Sequence, residues 1–335
     1  MGGIFCSASR PWTGSSMQPG RWCDTLAPNT LILPHGAGSL PLVRAFPNRA
    51  YHLSYQAENT SHQTAQFCSS RQFNECLLAN RHDPTIKKEM LFMAQINQVA
   101  EGIYRISSFS PTVGISFNQF LIDDEYPTLI HTGTYPLYEG VRQAVSEILD
   151  PKRLTYIVVS HFEADECGGM GRFLAEAPQA VLVCSLVGAR ANLMQWDYAG
   201  PVRGVQDGEV LELGRHHLRF LETPHVPQWD SLMVVDETTH SLFPADLFGQ
   251  PGDQPAIVRE DLSKLECQWH RENGLFAAAE PVLHVADRLE KLNLQWVHPM
   301  HGGSLPGEIL PHYIHGLRSE PFAFDGRLLG RVLPS

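Results

Sequence analysis

At 335 residues and 43% hydrophobic content, the chain is long enough to bury a real core in one or two domains. Its formal net charge of −11 excludes a nucleic-acid surface, which needs a basic face for phosphates, and no apolar run is long enough to span a bilayer. Seven cysteines form no CxxC pair and the N-terminus has no basic-then-apolar signal, so the expected setting is cytoplasmic and reducing.

Residues 1–92 carry turn formers such as SRPWTGSSMQPG and LILPHGAGSLP, show no sustained period of 2 or 3.6, and hold eight Lys/Arg against five Asp/Glu. They are expected to form a low-order extension, or to precede a true start at Met90 or Met93; residues 93–335, strongly acidic, form the domain. Two antiparallel strands are expected over 102–109 and 114–124, and a third over 127–133. The stretch 136–150 opens on Pro136 and sets Leu137, Val141, Ala144, Val145 and Ile148 on one stripe, predicting a helix laid on the sheet. RLTYIVVS reads as a buried strand, MGRFLAEA as a helix, and AVLVCS, HHLRFLET, SLMVVD and HSLFPAD as further strands. A helical region over 261–292 and a last strand in LQWVHPMHG complete an α/β arrangement of two sheets between helices.

SHFEADECGG lies in the loop between a strand and a helix, where α/β folds keep their sites. His161, Glu163 and Asp165 alternate, so on extended backbone they point one way, with Glu166 next. Three carboxylates share a small site only around a cation; alone, they read equally well as solvated loop acids. Three later points reinforce the first reading: His225 in TPHVPQWDS, Asp246 in FPADLFGQ and His301 in HPMHGG each follow a strand and precede residues that turn the backbone sharply.

The order HxExD, then H, D and H at strand ends resembles the metallo-β-lactamase superfamily. Its hydrolases carry HxHxDH in the first motif. With Glu163 in the second position, and with GISFNQFLID, HVPQWDS and ADLFGQ, the chain is more similar to the flavodiiron and oxygen-binding di-iron (ODP) branch, over residues 97–306. The resemblance implies a metallo-β-lactamase-like αββα four-layer sandwich. It also implies His161, Glu163 and His225 on one metal, Asp165 and His301 on the other, and Asp246 between them. The carboxylate of Glu163 in place of an imidazole favours two iron ions, with two zinc ions as the alternative.

Two positions depart from the branch. Glu166 stands where a histidine is usual and is a candidate further ligand, though its loss is expected to matter little beside that of Asp246. His131 stands where an aspartate is usual and is expected to orient a ligand. Trp229 and Phe162 are expected to wall the pocket, Cys167 to pack, and His298 to yield to His301, which has the glycine pair behind it.

Flavodiiron enzymes reduce O2 or NO with electrons from a flavodoxin-like domain, which needs about 100–150 residues. Only 34 residues follow His301, so no FMN domain is expected in this chain. The resemblance then implies an O2 sensor, or the oxidase half of a pair with a separate flavoprotein or other reductase. A zinc or mixed-metal hydrolase and a bare interaction module are the alternatives, and a homodimer is a candidate assembly.

Overall fold

Strand-forming runs rich in Ile, Val, Leu and Phe build two sheets in the computed structural model, which describes residues 94–326 apart from position 197. The expected extension over residues 1–92 lies outside the described residues. β1 (Gln95–Ala100), β2 (Ile103–Ser110) and β3 (Ile115–Ile122) form an antiparallel meander that β4 (Thr128–Ile130) extends. β5 (Tyr156–Val158), β6 (Val181–Ser185) and β7 (Val202–Val205) then join in parallel, giving a seven-stranded sheet in chain order. The second sheet holds β8 (Val210–Glu212), β9 (His217–Glu222), β10 (Leu232–Asp236), β11 (Ser241–Phe243), β12 (Trp296–Val297) and β13 (Leu305–Pro306), ordered 13-12-11-10-9-8.

Four layers follow from three separate cores. Ile103, Phe120, Val158, Phe220, Val234 and Phe243 meet between the two sheets. On the outer face of the first sheet lie α1 (Tyr138–Ile148), the short α2 (Ala164–Cys167), α3 (Met170–Glu176) and α4 (Leu186–Ala191), α1 and α3 burying Val141, Val145 and Phe173. On the outer face of the second lie α5 (Ser263–Asn273), α6 (Ala279–Leu289) and α7 (Leu310–Ser319). This is the expected αββα sandwich. The helical region over 261–292 is two helices, because Gly274 adopts φ 64° and ends α5.

Polar residues inside the sheets position the loops above them. Every residue of β3 is buried, yet it contains Ser116, Asn118 and Gln119. The Asn118 side chain donates to the carbonyls of Pro299 (2.9 Å) and Gly302 (2.8 Å), and Arg105 of β2 donates to the Gly302 carbonyl at 2.8 Å. The loop that carries His301 is thereby clamped to the first sheet. Burial lowers the Arg105 pKa to about 10, so the guanidinium stays charged near neutrality. A second seam runs through the other sheet: His298 lies 2.8 Å from Ser304 Oγ and 3.3 Å from Ser241 Oγ. Thr239 Oγ1 lies 2.8 Å from Ser241 Oγ and donates to Asp236 at 2.5 Å, and His216 Nδ1 is 2.9 Å from the same carboxylate.

Burial opposes charge on Asp236, but hydrogen bonds from His216 and Thr239 overcome it and hold the carboxyl below the usual range. A depressed carboxyl pKa stabilises the fold above the unfolded value, near 3.9, and that contribution is lost as pH falls through the folded value. Asp236→Asn is therefore expected to cost about 2 kcal/mol or more at pH 7. The difference should shrink below about pH 4, as checked by denaturant unfolding of both proteins at pH 7 and pH 3.

Candidate metal centre

Four loops at the strand ends bring the site together. After β5 the chain runs through Ser160 and His161 into α2, whose Glu166 carbonyl accepts from Thr132 N (2.7 Å) and Thr132 Oγ1 (3.0 Å). The turn out of α2 lies flush on that segment: a Cβ on Gly168 would sit 2.4 Å from the Ala164 oxygen and 2.6 Å from the Tyr135 nitrogen. Only glycine fits there. Asp246 follows β11 between Ala245 (φ 55°) and Phe248 (φ 66°), two left-handed residues that aim its side chain inward at a cost in backbone strain. The Phe248 amide donates to Glu266 (3.0 Å) and the Met300 amide to the Ala245 carbonyl (2.8 Å), tying this loop to α5 and to the loop of His301.

Two groups of donors result. One atom each from His161, Glu163 and Glu166, and likewise from Asp165, Asp246 and His301, lie within 4.8 Å of one another. Asp246 joins the groups: its Oδ2 is 3.3 Å from His161 Nε2 and its Oδ1 is 3.2 Å from His301 Nε2. His161 Nε2 is also 3.4 Å from Glu163 and 3.6 Å from Glu166, and His301 Nε2 is 3.5 Å from Asp165. Donors each about 2.1 Å from one ion and about 90–110° apart lie about 3.0–3.4 Å from each other. Three of the five separations fall in that range, and those of Asp165 (3.5 Å) and Glu166 (3.6 Å) lie just beyond it.

Hydrogen bonds behind the two imidazoles decide which nitrogen faces inward. His301 Nδ1 is 2.9 Å from the Ser116 carbonyl, which only accepts, so Nδ1 carries the hydrogen and Nε2 presents its lone pair to Asp246. Behind His161, Nδ1 is 3.1 Å from Ser160 Oγ, which is 2.9 Å from His131 Nε2; His131 Nδ1 is 3.2 Å from Met300 Sδ. A thioether only accepts, so the donor direction runs from His161 through Ser160 to His131 and on to Met300. His161 Nε2 is again bare, and it is buried without a hydrogen-bond partner. Burial, then the neighbouring His161, lowers the His131 pKa to about 3, consistent with a neutral ring that orients its neighbour.

The charges are in conflict without a cation. Burial, then the Asp246 and Asp165 carboxylates, push Glu166 well above the usual range, and burial raises Asp165 as well. Burial acts against charge on His161 and His301 too, but Glu163 and Asp246 on one, and Asp246 and Asp165 on the other, raise both. Asp246, opposed by burial, is held at about 2 by His301 and His161. Four carboxylates and two inward-facing Nε2 atoms converge in one place, a donor set that could hold metal ions.

Six of the seven residues expected as ligands or candidate ligands from the sequence, His161, Glu163, Asp165, Glu166, Asp246 and His301, meet here. His225 does not join them. It sits exposed at φ 66° in a turn where its amide donates to the Gln228 carbonyl (2.7 Å). The Gln228 side chain instead donates to Glu163 Oε2 at 3.1 Å. Trp229, expected to wall the pocket, is 54% exposed, whereas Phe162 is half-buried against Trp196. Cys167 donates to the Glu163 carbonyl at 2.9 Å, and burial pushes its thiol up to about 12. His298 belongs to the polar seam. Ser160, Ser116 and Gln228 were not anticipated; the signal for the first two was a polar residue in or directly after a buried strand.

Known proteins agree with this picture. The sequence model of the ODP family beta lactamase matches residues 115–302. A nitric oxide reductase of Moorella thermoacetica is 27% identical over 250 residues, covering 66% of this chain and 61% of that protein. A rubredoxin-oxygen oxidoreductase of Megalodesulfovibrio gigas is 28% identical over 139 residues, covering 41% of this chain and 35% of that protein. The chain thus spans less than two thirds of the length of these curated relatives. Among solved structures, the flavodiiron protein from Giardia intestinalis shares the fold at a TM-score of 0.60 and 21% identity, over 67% of this chain and 58% of that one. With an αββα fold and a matched stretch longer than half of its sequence, the chain belongs to the ODP beta-lactamase family.

Proposed function

We propose that this protein holds two iron ions between His161, Glu163, Glu166, Asp165, Asp246 and His301, and that it binds or reduces O2 or NO there. The observation that carries the reading is the donor set, four carboxylates to two imidazoles around Asp246. Hard oxygen donors favour iron over zinc and stabilise its oxidised state. The relatives named as a nitric oxide reductase and a rubredoxin-oxygen oxidoreductase support the same substrates. A bound ferrous pair supplies electrons to such a molecule.

The residues of this chain supply placement and access. Asp246 would be the residue shared by the two ions, Ser116 fixes the His301 ring, and the Ser160–His131 pair fixes that of His161. The Glu163 side chain is 45% exposed while those of Glu166 and His161 are fully covered, so a small molecule enters on the Glu163–Gln228 side. Reduction beyond one turnover would draw on an electron donor of the flavoprotein class; a single reversible binding event would make the protein a sensor. No helix among the described residues is long and apolar enough to cross a membrane.

Elemental analysis of protein purified in air is expected to find close to two irons per chain, with near-ultraviolet absorption of oxidised iron. Two zincs in a colourless protein would overturn the reading in favour of a hydrolase. Asp246→Ala is expected to lose both ions, since it faces both histidines; retention of one full equivalent would show that Asp246 is not shared. Anaerobic reduction followed by air should restore the spectrum once for a sensor, or consume O2 continuously when a reductase is supplied.

A further inference from the structure

We infer that Glu166 takes, in this chain, the donor place that the family resemblance assigns to His225, so that one metal position is built from His161, Glu163, Glu166 and one oxygen of Asp246. The inference rests on the two-metal reading above and concerns which residues make it up.

Three observations carry it. Glu166 is fully buried, no amide, ring N–H or hydroxyl reaches either carboxylate oxygen, and the one side chain in hydrogen-bond range is the like-charged carboxyl of Asp165. A carboxylate is not kept in that state without a compensating partner, and the nearest group of opposite character is the equally unpartnered His161 Nε2 at 3.6 Å. Second, the backbone that carries Glu166 is fixed: its carbonyl is held twice by Thr132, and Gly168 and Gly169 press the end of α2 against residues 132–135. Third, the turn of His225 is built to face outward. Its amide is bonded to the Gln228 carbonyl, the Gln228 amide nitrogen donates to Ser231 Oγ at 2.9 Å, and Asp230 accepts from the Phe162 amide at 3.2 Å and from Asn192 at 3.1 Å. That pinning sets the Gln228 side chain against Glu163.

The exchange changes the chemistry of the ligand. A carboxylate in place of an imidazole gives four negative charges, which two divalent cations neutralise, and it shifts preference toward oxygen-seeking ions such as Fe2+ and Mn2+ and away from Zn2+. Glu166 in a merely structural role would be a protonated acid, which glutamine imitates in shape and neutrality.

The test is anaerobic titration of the full chain with Fe2+, and with Mn2+ followed by electron paramagnetic resonance, on wild type, Glu166→Gln and His225→Ala. The expected result is two ions in wild type, about tenfold or greater weakening of one of them in Glu166→Gln, and affinities within about twofold of wild type in His225→Ala, whose side chain lies on the surface. Wild-type affinity for both ions in Glu166→Gln would overturn the inference while leaving the two-metal reading intact, as would loss of an ion in His225→Ala. Absence of binding by wild type would overturn both. Should Glu166→Gln fail to fold, as judged by circular dichroism, the His225→Ala titration decides alone, because only a ligand role for His225 makes that variant lose an ion.

Discussion

Lone pairs facing lone pairs at Asp246 are the constraint on which the rest depends. Each of its oxygens faces an imidazole nitrogen, 3.3 Å away on one side and 3.2 Å on the other, with three more carboxylates close by. Protons can relieve part of this, as the raised pKa values of His161, His301 and Glu166 reflect. Even so, Glu166 stays fully buried, with only the Asp165 carboxyl in hydrogen-bond range. On the proposed reading, two cations would satisfy these donors together.

The fold exists around that arrangement in a definite sense. An αββα sandwich collects strand ends at one edge, and each functional side chain sits within a few residues of such an end. Placing a carboxylate and an imidazole to within a few tenths of an ångström takes more than a strand end, and polar residues buried in the sheets supply it. Arg105 and Asn118 hold the loop of His301 from below, and Ser116 fixes its ring. Ser160 and His131 do the same for His161. These groups are hydrogen-bonded to ligands or to ligand-bearing loops, so substitution in them should disturb the site before it disturbs the fold.

The layers were legible in the sequence because apolar periodicity reports burial directly, and the αββα order followed from where strands and helices alternate. The clustering of the first motif was legible because residues 161, 163 and 165 alternate on extended backbone, and that of Asp246 and His301 because each follows a strand and precedes a sharp turn. His225 had the same local signature, yet its side chain faces solvent. Which way a left-handed turn aims a side chain depends on Asp230 and Ser231 pinning the loop to Phe162, Asn192 and Gln228, and those contacts span up to 68 residues. The placement of Glu166 was not legible for the mirror reason: its backbone carbonyl is held by Thr132, 34 positions earlier, which no local pattern reveals. β7, β8 and α7 also escaped notice, the strands being short and α7 mixing His312, His315, Arg318 and Ser319 into ten residues.

The central claim, a cation pair shared by Asp246, is tested most directly by anomalous diffraction from crystals grown with Fe2+ or Mn2+ under exclusion of air. The account predicts two peaks about 3.5–4 Å apart, one beside His161 and one beside His301, with Asp246 between them. A single peak, or a pair that leaves Asp246 uncoordinated, would contradict it.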